Sequence, residues 1–239
     1  MRSSKSFSKV QLIFVSFFFL TFTACKVSYI PSMHNVPSLK QKNDVQLSAS
    51  LSNFQGAYAV TDNVGLILDA QISGFGKSSG TDVTYTKRRQ FIEGGAGYFK
   101  QMDDNNIFQC FGGAGYGIVS FDNVYSSYTE HYKASATKIF IQPSFGYSDK
   151  NFDVAFAVKA MSMKFFGVDT TNYSVYSLKS DDLYNIDKHP YIFLEPSLTA
   201  RAGSENAKVF LQLLYSNKMN AEPIRYYSLN FYLGISFRF

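Results

Sequence analysis

The side chains best suited to catalysis or metal binding are few. The 239-residue chain has three histidines, His34, His131 and His189, and two cysteines, Cys25 and Cys110. Asp181, Asp182 and His189 share one polar stretch, residues 167–188 and its edge. Acids beside a histidine are the raw material of a hydrolytic site, but no partner constellation accompanies them, and a solvated polar loop accounts for them. Cys/His metal spacing, an EF-hand pattern and a phosphate-cradling glycine loop are all missing from the sequence. No cofactor or metal is expected. A second group of candidates is dispersed: Asp69, Glu93, Lys159, Glu195, Arg201 and Arg238. They make sense only through the elements that would bring them together.

Those elements are strands. From residue 44 the apolar period is two almost everywhere, which predicts strands near 44–52, 54–61, 64–75, 85–101, 107–121, 133–148, 152–166, 189–203, 208–216 and 225–239. Short connections at 61–63, 102–106, 149–151 and 204–207 alternate with longer ones at 76–84, 122–132, 167–188 and 217–224; only the first of that second set, at Ser52–Asn53, is tight. One parity is apolar, as in Leu66, Leu68, Ile139, Ile141, Phe156, Leu211 and Leu213. The other carries Asp69, Gln71, Glu93, Gln109, Gln142, Lys159, Glu195, Arg201, Gln212 and Asn230.

This pattern predicts an all-β fold, an antiparallel up-and-down transmembrane barrel of about ten strands, with eight as the alternative. Outer-membrane barrels have short periplasmic turns and longer outer loops, and turning Lys159 or Arg201 toward lipid near the midplane would cost about 2–4 kcal/mol each. The apolar face therefore points out and the dispersed charges line the lumen, where buried charges need partners. Gly95, Gly97, Gly113, Gly115, Gly117, Gly146 and Gly234 on the polar parity suit a crowded interior. Tyr58, Tyr98, Phe108, Tyr147, Phe152 and Phe239 lie beside the short turns, as an interfacial girdle would. Pro143 and Pro196 remove ladder donors, so a bulge or a missing bond is expected at each.

Aromatic residues are 17% and charged residues also 17%, the latter below the ~25% of a soluble domain. Net charge is +5, but of 23 basic residues Arg2, Lys5 and Lys9 fall in the first 24; the remaining 20 face 18 acids, a net of +2. Nothing in that balance calls for a nucleic-acid partner. Residues 1–24 read as a signal peptide, with a basic start and an apolar run too short to span a bilayer. The run ends Phe22-Thr23-Ala24-Cys25, which resembles a bacterial lipobox with Phe22 in place of the usual aliphatic residue. Cys25 is the expected lipidation site, the alternative being plain cleavage after Ala24. Residues 25–43, with Pro31 and Pro37 and no period, read as a tether outside the barrel domain of residues 44–239. A disulfide between Cys25 and an outward-facing Cys110 is not expected.

The last strand, with Leu233, Ile235, Phe237 and Phe239 on one parity, resembles the C-terminal signature that the barrel-assembly machinery of Gram-negative bacteria reads. The segments CKVSYIPSMHNVP (25–37), FQGAYAVTDNVGL (54–66), GAGYF (95–99) and FIQPS (140–144) are similar to those of a family of small Gram-negative outer-membrane barrels with lipoprotein-type leaders. The resemblance implies fold and place, with outer-membrane lipid and the assembly machinery as partners. It implies no activity and no surface ligand. An even strand count puts both termini on one side, expected to be the periplasmic one. The leading functional expectation is a non-enzymatic envelope protein displaying loops. A narrow pore, a periplasmic lipocalin-like lipid carrier and a rim enzyme are the alternatives. The Asp181, Asp182 and His189 group resembles the rim acids and histidine of some ten-strand proteases. Ser216-Asn217 resembles part of a lipid A deacylase motif, but the histidine of that motif is missing.

Overall fold

The structure is a computed structural model that describes residues 27–74, 77–79 and 83–239, with residues 77–79 as backbone only. Cys25 and the expected signal peptide lie outside the described residues. Alternating sequences with β-branched and aromatic residues on one face form β1 (Val45–Ser50), β2 (Asn53–Ala59), β3 (Val64–Ser73), β5 (Val83–Gln101), β6 (Asn106–Tyr125), β7 (Thr129–Ser148), β8 (Phe152–Asp169), β9 (Tyr191–Gly203), β10 (Ala207–Tyr215) and β12 (Leu229–Arg238). Two short pieces add to the rim: β4 (Lys77–Ser79) pairs with β5, and β11 (Asn217–Lys218) pairs with β9. A single helical turn, α1 (Val175–Ser180), is capped by the Ser174 hydroxyl.

Each long strand pairs antiparallel with its sequence neighbour, and β1 pairs with β12, so ten strands close into an up-and-down barrel. Closure is in register from Gln46 opposite Arg238 to Ser50 opposite Gly234. Val45 and Phe239 exchange backbone hydrogen bonds of 3.1 and 2.9 Å at the short-turn end. The apolar parity faces outward: Leu66, Leu68, Ile139, Ile141, Phe156, Leu211 and Leu213 are all exposed, whereas the polar and charged side chains of the other parity named above, from Asp69 to Asn230, are buried. Tyr58, Tyr98, Phe108, Tyr147, Phe152 and Phe239 are exposed in a band beside the short turns. Cys110 is half-buried and free. In the turn after β5, Asp103 accepts from the Asn105 and Asn106 backbone N–H groups and from Asn106 Nδ2, which holds its carboxyl below the usual range.

The connection after β6 differs from the sequence reading. Residues 122–132 are not a loop: β6 and β7 run on as a hairpin, with Asp122 opposite His131 and only 126–128 turning. At the prolines the ladder opens without slipping. Pairing of β7 with β8 stops at Ile141–Ala160 and resumes at Ser144–Ala157, leaving Pro143 unpaired on that side. Beside Pro196 it stops at Asn217–Leu194 and resumes at Leu214–Ser197. These are missing bonds rather than bulges. The one register shift of the β7–β8 pair lies elsewhere, between Lys133 and Ser135.

The inward glycines make room for rings from the neighbouring strand. A Cβ on Gly117 would come within 2.1 Å of Phe91 Cδ1, and one on Gly113 within 2.7 Å of Phe140 Cζ. Gly112 points outward, where the nearest atom would be 3.6 Å away. Gly117→Ala should therefore destabilise the barrel by about 1–3 kcal/mol through overpacking, while Gly112→Ala leaves it near the wild type. The midpoint of urea unfolding in micelles measures both.

Candidate functional site

The lumen is filled by the chain itself. Residues 27–39, the main part of the expected tether, run inside the barrel: Tyr29 and Ser28 are fully buried, and Met33, His34, Val36 and Leu39 are within 2% of full burial. The sequence reading put this stretch outside because two prolines and no period look like a linker. An extended segment whose backbone bonds go to side chains needs no period of its own.

Glutamines supply most of those bonds. Gln55 Nε2 donates to the Met33 carbonyl (2.7 Å), Gln71 to Pro31 (2.8 Å), Gln109 to Pro37 (2.5 Å), Gln142 to Asn35 (2.7 Å) and Gln212 to His34 (3.0 Å). Gln46 Oε1 accepts from the Ser38 N–H (2.8 Å), and Gln212 Oε1 from the His34 N–H (2.8 Å). Arg201 Nη2 donates to the Val36 carbonyl (2.7 Å), and the Tyr232 hydroxyl to the Pro31 carbonyl. An amide side chain can donate or accept, so a ladder of them grips an extended backbone largely through the main chain. At the short-turn end the segment reverses through Asn43, at φ 70°, and Asp44 Oδ2 caps the turn by accepting from Lys40 N–H (2.8 Å).

The charges form two linked groups at mid-lumen. Glu93 accepts from Lys138 (2.8 Å), Lys159 (3.0 Å) and the plug hydroxyl of Ser32 (2.7 Å). Glu195 accepts from Tyr29 (2.9 Å) and Ser216 (2.6 Å), and its other oxygen faces His34 Nε2 at 3.6 Å. Lys159 and Glu195 are cross-strand neighbours. Aromatic faces complete the shell: the Lys138 ammonium lies 4.0 Å from the Phe91 ring centroid, and that of Lys159 4.6 Å from Phe140. Asp69 accepts from Asn35 Nδ2 (2.8 Å). Of the six dispersed charges, five thus meet the lumen or its plug. Arg238 does not; it pairs with Asp44 at the short-turn rim (3.0 Å). Lys138 was missed, although its parity, shared with Gln142, points inward. Leu233, Ile235, Phe237 and Phe239 line the outer face of β12, all exposed.

The long-loop end is covered by residues 170–190, whose Tyr173, Leu178, Leu183 and Ile186 are buried in one cluster with Phe165, Phe193 and Tyr29. Arg225 faces Asp181 (3.6 Å) and Asp182 (3.3 Å), while His189 is exposed, so the acids are engaged with a cation. His131 pairs with Asp122 (2.5 Å) in the extended hairpin. Ser216, of the deacylase-like pair, is turned into the lumen on Glu195. Among the described residues no three His, Cys, Asp or Glu side chains gather as a metal site.

The first described residue, Val27, sits at the long-loop end, while Phe239 is at the short-turn end. The sequence reading put both termini beside the short turns; the threaded plug separates the described ends. No protein-family model and no curated protein matches the chain.

Proposed function

We propose that this chain is a non-enzymatic outer-membrane barrel lipoprotein, exported by residues 1–24, anchored through Cys25 and sealed by residues 27–39, which displays its longer loops outside the cell. The observation that carries this reading is the inversion of the fold: charges and amides inside, large apolar side chains outside all round the wall. A lipocalin-like carrier needs the opposite arrangement. A standing pore is disfavoured because the plug occupies the lumen. A rim enzyme is disfavoured because Asp181 and Asp182 face Arg225 rather than His189. The short turns face the periplasm in this reading, and the outward face of β12, Leu233, Ile235, Phe237 and Phe239, is what the assembly machinery binds before the barrel closes.

The chain has no tryptophan, so one introduced indole reports without background. Ile141→Trp, on the outward face of β7, should fluoresce in the blue and be quenched by lipids brominated along the acyl chain. Quenching by an aqueous quencher instead, with none from the brominated lipid, would overturn the membrane-spanning reading.

A further inference from the structure

The path of residues 27–43 decides which end of the barrel the residues before Val27 meet. The segment leaves β1 at the short-turn end and climbs: Ser38 is held by Gln46, Val36 by Arg201, Pro31 by Gln71. It finishes at Val27, whose carbonyl accepts from Arg89 Nε at 2.6 Å. Arg89 pairs with Ser73, the last residue of β3. On the other side, the Ser28 N–H donates to the carbonyl of Arg225 (2.9 Å), in the connection before β12. Val27 therefore lies at the long-loop end between β5 and the approach to β12, and the shorter arc of wall between those two elements is built by β1, β2 and β3.

That part is the low side of the rim. β1 has six residues and β2 seven, against 19 in β5 and 20 in each of β6 and β7. Crossing a bilayer core takes about 9–11 tilted residues, so the β1–β2 hairpin stops inside the apolar layer. Its tip agrees: Leu51 is fully exposed, at 101%, where an aqueous turn would carry a polar residue. One residue, Lys26, separates Cys25 from Val27, so the two lie at most about 7 Å of extended chain apart. The ten residues of β3 span about 33 Å, so Cys25 cannot reach the short-turn end.

We propose that the chain leaves the lumen over this low rim and that the lipid on Cys25 inserts beside the β1–β2 hairpin, in the leaflet on the long-loop side rather than the periplasmic one. This rests on the lipidated outer-membrane reading above. The lipid and the Leu51 side chain at the hairpin tip then share one layer, and the anchor is presented on the outer surface.

The test uses the full chain in cells. One variant carries an epitope between Lys26 and Val27; a second carries it between Ser126 and Ser127, in the turn of the tall hairpin. Heat-modifiable gel mobility shows that each barrel is folded, and a labelled fatty acid reports the lipid. Both epitopes should stain intact cells as strongly as permeabilised ones, and Cys25→Ser should lose all label. If the Ser126 epitope stains intact cells and the Lys26 epitope stains only after permeabilisation, the outer-membrane reading stands and the proposed exit is wrong. If neither stains until permeabilisation, both fail. Label that persists in Cys25→Ser removes the lipid from the proposal.

Discussion

Glu93→Gln should lower the unfolding free energy of the barrel by about 3–5 kcal/mol, the usual cost of leaving a buried charge without its partner. Glu93 is 2% exposed and is the shared acceptor of Lys138 and Lys159. The amide leaves two buried ammonium groups beside a neutral side chain. Lys159 retains Glu195 as a cross-strand neighbour; Lys138 is left with the faces of Phe91 and Tyr29. The lost hydrogen bond alone would account for only about 0.5–1.5 kcal/mol, so the magnitude separates charge isolation from simple bond loss. The double variant Glu93→Gln, Lys138→Met removes a cation together with the anion and should recover most of the loss. Urea unfolding in micelles, followed by gel mobility, measures both. A loss under 1 kcal/mol in the single variant, or no recovery in the double, would show that water reaches the network.

Deleting Val27–Ser38 should turn a silent protein into a conducting one. Wild-type protein in a planar bilayer is expected to give no steady current, because the plug is bonded to strands on every side, from Gln46 on β1 to Gln212 on β10. Removing it leaves a lumen lined by amides and charges that water can hydrate, so the wall keeps its ladder while the bore fills with solvent. Assembly yield should fall, since each lost bond to the plug contributes on the order of 1 kcal/mol. Inserted molecules should give discrete current steps. Insertion without current would assign the seal to residues 170–190, whose buried Leu178, Leu183 and Ile186 cover the long-loop mouth.

Strands, faces and interior charges were legible in the sequence because a half-buried strand writes its environment every second residue. Leu68 and Asp69 sort to opposite faces on that rule alone. The glycines were legible for the same reason: Gly113 and Gly117 sit on the parity that meets Phe140 and Phe91. The hairpin beyond residue 121 was misread because its Tyr, Ser and Thr content resembles a loop, although Asn123 and Glu130 keep the inward alternation. The plug was not legible, since an extended segment bound through its carbonyls leaves its side chains free of any pattern. Its trace lay in the wall instead: Gln46, Gln55, Gln71, Gln109, Gln142 and Gln212 all point inward, and buried amides require partners.

The plug is continuous with β1, and β1 meets β12 at the join where the cylinder closes. Tyr232 of β12 also bonds Pro31 inside. The segment is therefore stitched to both banks of the seam. With Cys25 acylated as proposed above, that end cannot be drawn through a finished ring, so the wall would have to wrap around the segment during assembly instead of admitting it afterwards. Tension on the anchored end would then run along the segment to the turn at Asn43 and load the β1–β12 ladder in shear, where its bonds share the force. The molecule is built like a belt whose buckle tightens on its own tongue.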